Sequence, residues 1–269
     1  MEVSMTVSAG EVAYALGAPP CSGVGLRWSD EELNLALNDG VAAVLFDDEG
    51  SANIEAILVG LEDTDFAQDA LRRILKEPDQ IEDWRVGEAI AETYLKDHRS
   101  CSFPWPDGRD ERKPRSSLPG ADLVGFGIDA SGDCFVFGEV KTSSERSHPP
   151  GAMYGRTGLK QQLEDLRDNE GIRDSLVKYL GYRARLAPWR ERFKRAAGRY
   201  LQNSSDIQLY GCLIRDVAPH RNDLRFRVRD LGAACPHGTR IELLALYLPR
   251  ECLNGIGREM ISRRAGAEQ

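Results

Sequence analysis

Asp122, Glu139 and Lys141 are the residues whose types and spacing point to joint chemistry. Glu139 and Lys141 lie two apart in Cys134–Thr142 (CFVFGEVKT), a run whose aromatic and β-branched content reads as a strand. A period of two sends both side chains to one face, with Val140 and Phe137 read as the apolar surroundings directed elsewhere. A carboxylate and an ammonium in so apolar a strand need a partner or a ligand. Asp122 opens the preceding strand, Asp122–Ile128 (DLVGFGI), and Asp129-Ala130-Ser131-Gly132-Asp133 between the two has hairpin chemistry. An antiparallel return carries the end of the second strand back to the start of the first. Asp122 is therefore expected beside Glu139 and Lys141. Two carboxylates within reach of each other suit a hard divalent cation, Mg²⁺ or Mn²⁺. Such an ion lowers the pKa of bound water and screens a phosphate, and a lysine can orient or deprotonate that water.

The elements around this pair follow from periodicity. Ile81–Asp97 reads as an amphipathic helix, with Ile81, Trp84, Ala91, Tyr94 and Leu95 on its stripe. It carries Glu88 and Glu92 one turn apart on one face. Residues 101–120 read as a proline-rich loop holding Arg109, Arg112, Lys113 and Arg115. After the strand pair, His148-Pro149-Pro150-Gly151 breaks the chain. A helix at Leu159–Asp168 follows, then a longer one, interrupted near Pro188, to about Leu201. Strands are expected at Ile207–Ile214, Leu224–Val228 and Ile241–Leu248, and 263–269 reads as a frayed tail. Upstream, Asp30-Glu31-Glu32 opens a helix, with acids favourable in its first turn. Val41–Phe46 and Ile54–Leu61 read as strands or buried segments around a turn at 47–51, and a helix over Asp65–Lys76 stops before Pro78. This order predicts an α/β fold, a mixed central sheet flanked by helices.

Taken together, Gly87-Glu88, Pro119-Gly120-Ala121-Asp122, Glu139-Val140-Lys141 and Gly158-Leu159-Lys160-Gln161-Gln162 resemble the PD-(D/E)xK nuclease superfamily. In that pattern an Asp closes a turn before one strand and (D/E)xK sits on the next; here Pro119 is three residues before Asp122 rather than adjacent. The resemblance covers residues 84 to about 170 well and the later strands loosely. It implies a restriction-endonuclease-like core over 84–262, hydrolysing DNA phosphodiesters. Asp122 and Glu139 would be metal ligands, joined by the carbonyl of Val140. Lys141 would act on the attacking water. Glu88 would complete the metal shell directly or through water, with Glu92 as the alternative. Lys160, Gln161 and Gln162 would approach the substrate. The N-terminal α/β extension ahead of Gly87-Glu88 is similar to that of the HamA family. Those proteins are nuclease effectors of the two-component Hachiman anti-phage systems. That likeness implies DNA degradation held in check by a HamB-like helicase partner.

Charge is distributed unevenly. The 269 residues carry a net −8. Residues 1–83 hold 18 acids against 4 bases, a net −14, which leaves the remainder at +6. The positive part could face phosphate, with Arg112, Lys113 and Arg115 leading directly into the Asp122 turn. Tyr182–Tyr200 has seven cations against one acid, with Trp189, Phe193 and Tyr200 interleaved. It reads equally as a backbone-tracking surface or as a solvated helix with its aromatics in the core. The acidic segment could dock on the basic groove, bind a partner, or be an ordinary scaffold lobe.

Other chemistries find little support. The six cysteines form no CxxC pair and read as reduced, buried thiols. Cys235-Pro236-His237 is too small a ligand set for zinc, and no P-loop is present. The start of the chain lacks signal-peptide character, and no apolar run nears the roughly 20 residues of a membrane span, so a cytoplasmic protein is expected. The rival to an enzyme is a catalytically silent nuclease fold that binds nucleic acid or a helicase as an adaptor.

Overall fold

The computed structural model describes residues 5–60, 64–106, 109, 120–233 and 235–267, with backbone alone at 65, 66 and 267. Six strands form one mixed sheet in the order β1-β2-β6-β5-β4-β3. β1 (Glu11–Ala18) and β2 (Cys21–Arg27) are an antiparallel hairpin at one edge, and β3 (Leu123–Asp129) and β4 (Gly132–Ser143) are another at the opposite edge. Between them, β2, β6 (Arg240–Tyr247), β5 (Ile207–Arg215) and β4 run parallel. These strands are nearly continuous apolar runs because helices cover both faces. Their C-terminal ends line up, with Ser143 opposite Arg215, Arg215 opposite Tyr247 and Tyr247 opposite Arg27. Open α/β sheets gather ligands at that end.

On one face, α5 (Asp83–His98) crosses β4, flanked by α1 (Asp30–Asn38), α2 (Gly40–Leu45) and α10 (Ile256–Ala267). Their core includes Val136, Val140, Cys212, Ile214 and Leu244 of the sheet. On the other, α6 (Leu159–Asp168), α7 (Glu170–Ala184), α8 (Arg190–Gln202) and α9 (Asn222–Ala233) cover Phe135, Phe137, Leu209, Leu213 and Leu243. Phe137 thus shares a face with Glu139 and Lys141, as the period of two requires; Val140 alone of the two apolar residues points the other way. Among the described residues, no helix is long and apolar enough to cross a membrane.

The α/β class and the mixed sheet stand as the sequence predicts, but several elements differ. Val41–Phe46 and Ile54–Leu61 fall largely in helices, α2 and α3 (Asp48–Leu58), not strands. The supposed turn is a helix start: an Asp47 carboxyl oxygen caps Gly50 N–H at 3.2 Å, and Asp48 and Glu49 occupy the first turn. α4 (Asp65–Ile74) follows as expected. The true N-terminal strands, β1 and β2, are diluted with glycine and carry little alternation. Leu224–Val228 belongs to a helix, since Leu224, Val228 and Leu231 are buried at helical spacing. The chain end is not a frayed tail as far as Ala267. α10 is fastened there by Arg263 on Asn34 and Asn38 and by Arg264 on Asp48 and Glu77.

The basic stretch at 182–200 resolves largely into internal ion pairs. Arg192 and Arg195 each contact Asp133 at 2.7 Å, and Arg199 grips Asp129 and Asp206. Asp133 lies eight residues from Lys141 along β4, about 26 Å at a strand's rise. These cations fasten α8 to the hairpin turn at the far end of the sheet, while Trp189, Phe193 and Tyr200 pack on Phe126 and Phe135.

Candidate active site

Asp122 sits one residue before β3, after Gly120, whose φ of +131° suits glycine. Leu123 opposite Gly138 is the last pair of the β3–β4 ladder. Beyond it the Asp122 side chain takes over from the ladder, one carboxylate oxygen accepting Val140 N–H at 2.7 Å. Since N–H and C=O of a strand residue point to the same edge, the Val140 carbonyl also turns toward Asp122. The hairpin therefore brings together the residues that its local sequence predicts.

Glu139 is 1% exposed, and both of its carboxyl oxygens are buried without a hydrogen-bond partner. Buried carboxylates are rarely left this way. Burial first, and the neighbouring Asp122 charge second, push its pKa up to about 9; Lys141 opposes them. Lys141 Nζ lies 3.5 Å from a Glu139 oxygen, an electrostatic contact without a hydrogen bond. Glu139 and Lys141 face the α6 side of the sheet near its C-terminal end, and Asp122 lies at the sheet edge beside them, where it also lines the cleft on the α5 side. Two oxygen-only acids, one with neither oxygen hydrogen-bonded, fit a hard divalent cation. Among the described residues, no three His, Cys, Asp or Glu side chains form a ready-made cage.

The helix carboxylates approach from the opposite face. Gly87 rests on Thr142: a Cβ there would lie 2.0 Å from Thr142 Oγ1. That close approach sets the height of α5 above β4 and holds Glu88, the next residue, near the strand. Glu88 and Glu92 both line a cleft of about 680 Å³ together with Asp122. Glu88 also meets Arg85 at 3.6 Å. Glu92 is buried, meets Lys96 at 3.8 Å, and borders a second cleft of about 240 Å³ that Glu88 does not reach. Glu88 thus faces the Asp122 cleft alone, while Glu92 stands between two.

Of the three α6 residues, only Gln162 turns inward. Its Oε1 is buried without a partner, whereas exposed Gln161 bonds Asp165 at 3.0 Å and half-buried Lys160 bonds Glu164 at 2.7 Å. α6 packs over Gly211 through Leu159 and Leu163, and Gly211 is the β5 partner of Glu139. Arg112, Lys113 and Arg115 lie outside the described residues. Arg109 of the same loop makes a two-pronged contact with Asp47, both distances 2.7 Å.

Trp84, which the sequence offered only as an apolar position, and Trp105, which it did not single out, both line the larger cleft. Arg85 lies 4.7 Å from the Trp84 ring, and Arg109 and Arg183 lie 5.2 and 5.4 Å from that of Trp105. No protein-family model matches the chain, and no curated protein matches it in sequence.

Proposed function

We propose that this chain is a metal-dependent nuclease that hydrolyses DNA phosphodiester bonds. The observation that carries the reading is Glu139, a buried carboxyl with both oxygens unsatisfied, coupled to Asp122 and Lys141. The restriction-endonuclease-like identity of the core belongs to this proposal and rests on the order of the motifs.

Asp122, Glu139 and the Val140 carbonyl would hold Mg²⁺ or Mn²⁺, and Glu88 would complete the shell directly or through water. Bound there, the ion supplies a water of lowered pKa and screens phosphate charge. Asp122 keeps Val140 oriented through its 2.7 Å bond. Lys141, beside Glu139, would orient or help deprotonate the attacking water and steady the developing phosphate charge. Gln162 offers a buried amide oxygen from above the same face.

A metal titration of cleavage tests this. Cutting should rise with Mg²⁺ and vanish in a chelator. Glu139→Ala and Lys141→Ala should each lower it at least about a hundredfold, the scale of removing one transition-state contact. Unchanged cutting by Lys141→Ala would overturn the assignment.

The defence-effector role and its helicase partner are part of the same proposal. The acidic N-terminal segment supports them, since it exposes Ile54, Ile57, Val59 and Ile74 on and around α3 and α4. Pull-down with a candidate helicase, followed by cleavage assays of the complex, is the direct test. The silent-adaptor reading has one observation in its favour: a carboxyl with pKa about 9 is protonated at neutral pH when nothing binds it. An adaptor would show no Mg²⁺-dependent cutting, alone or with its partner.

A further inference from the structure

The loop after β4 and the start of α9 meet at the same end of the sheet as Lys141. His148 Nδ1 lies 2.9 Å from one oxygen of Asp223, which is fully buried. Arg215 Nη1 approaches that oxygen at 3.5 Å, and the Tyr247 hydroxyl donates to the other at 2.7 Å. Arg215, itself fully buried, also donates to the carbonyls of Glu145 and Ser147, fixing the loop that presents the histidine. Asp223 accepts from three sides, so Nδ1 of His148 carries the hydrogen. Its Nε2 has no hydrogen-bond partner among the described residues. The ring is half-buried and stacks on His220 at 4.5 Å.

An imidazole held this firmly by a buried acid, with one ring nitrogen left over, is a built contact without a visible task. The same loop carries exposed Glu145 and an Arg146–Glu251 ion pair, and the cations that stand beside it come from α9 and the turn before it. His220 leads into Arg221 and Arg225, both exposed and without an ion-pair partner among the described residues, and Arg225 lies 5.6 Å from the ring of exposed Phe226. Arg215 is one strand across and two residues along from Lys141, about 8 Å between backbones. In the other basic stretch, Arg192, Arg195 and Arg199 are held in ion pairs at the far end of the sheet.

We propose that His148, as an imidazolium oriented by Asp223, donates from Nε2 to a phosphodiester of the nucleic acid, and that Arg221, Arg225 and Phe226 continue the track along α9. Asp223 and Tyr247 are positioning residues in this scheme. The proposal rests on the nuclease reading for its substrate class.

Side-chain ¹⁵N–¹H spectra of the full chain test it, since there are only four histidines to assign. The probe is a short oligothymidylate in a chelating buffer, where nothing is cut. His148 should shift saturably. His148→Ala and the pair Arg221→Glu/Arg225→Glu should each weaken binding about tenfold and flatten its salt dependence. Asp223→Asn should raise KM for cleavage with little change in kcat, and His148→Gln should restore binding in part. If the oligonucleotide is bound and cut while His148 stays unmoved, the inference fails and the nuclease reading survives. If His148 shifts but no condition gives Mg²⁺-dependent cutting, the phosphodiester site stands and the nuclease reading fails. If neither occurs, both fall. An equal response to polyglutamate would replace the nucleic acid by an acidic protein surface and end the proposal.

Discussion

Glu139 couples its chemistry to stability. Free glutamate titrates near 4.3 and Glu139 at about 9. Between these values the folded protein holds a proton that the unfolded chain has lost, so this group's contribution falls as pH rises through the window. Metal-free protein should therefore lose stability from pH 5 to 9 relative to Glu139→Gln, with the gap widest at high pH. Thermal melts of both proteins in a chelating buffer measure it; a gap that is constant with pH would mean that Glu139 is not buried as described. The same acid should make the ion's affinity climb with pH, with a proton released on binding. Calorimetry in two buffers of different ionisation enthalpy reads that directly. Asp122, Glu139 and Lys141 were legible in the sequence because a hairpin joins them over a short stretch and a period of two fixes their faces. The unsatisfied state of Glu139 was not, because it depends on α6, whose Leu159 and Leu163 arrive over Gly211 from elsewhere in the chain.

At the level of elements, the α5–β4 contact is decided by one missing methyl. In an ordinary helix interior, Gly→Ala gains up to about 1 kcal/mol. At Gly87 the added carbon would meet Thr142 Oγ1 at 2.0 Å, and overpacking of that kind costs about 1–3 kcal/mol, so the sign reverses. Gly87→Ala should destabilise the fold in denaturant melts and impair cleavage by lifting Glu88, and adding Thr142→Ala should restore much of both. A stabilised Gly87→Ala protein would show that α5 is free to move. The glycine was visible in the sequence as a neighbour of Glu88; its partner was not, since the two lie 55 positions apart. The strand expected at Leu224–Val228 shows the opposite difficulty. A short apolar run fits either period, and only Leu231 farther on reveals the helix that delivers Asp223.

For the whole molecule, the acidic first third is part of the same sheet. β2 pairs with β6 over seven positions, and Trp28 is 2% exposed in the core shared with α5. Deleting residues 1–80 would bare the edge of β6, an invitation to aggregation. Such a fragment should be insoluble, as sedimentation after expression will show, and it cannot serve to ask whether the segment restrains the site. Asp47→Asn can. It loosens Arg109 beside the cleft and leaves the sheet alone; faster cutting would support restraint, and an unchanged rate would dismiss it. The charge split at residue 83 was plain in the sequence. That the sheet crosses it was hidden, because β1 and β2 carry weak alternation and their parallel partner is more than 200 residues away.

The Tyr14 and Tyr247 hydroxyls lie 2.7 Å apart, and Tyr247 in turn donates to Asp223. With its own proton turned that way, Tyr247 receives one from Tyr14, so a chain of hydrogen bonds begins on the outermost strand and ends on the Asp223 carboxylate, into which the His148 imidazole also donates. Loss of a single oxygen in Tyr14→Phe would leave every proposed metal ligand in place and still remove one link of that chain. A tidy fragment cut at the charge boundary would inherit the same gap.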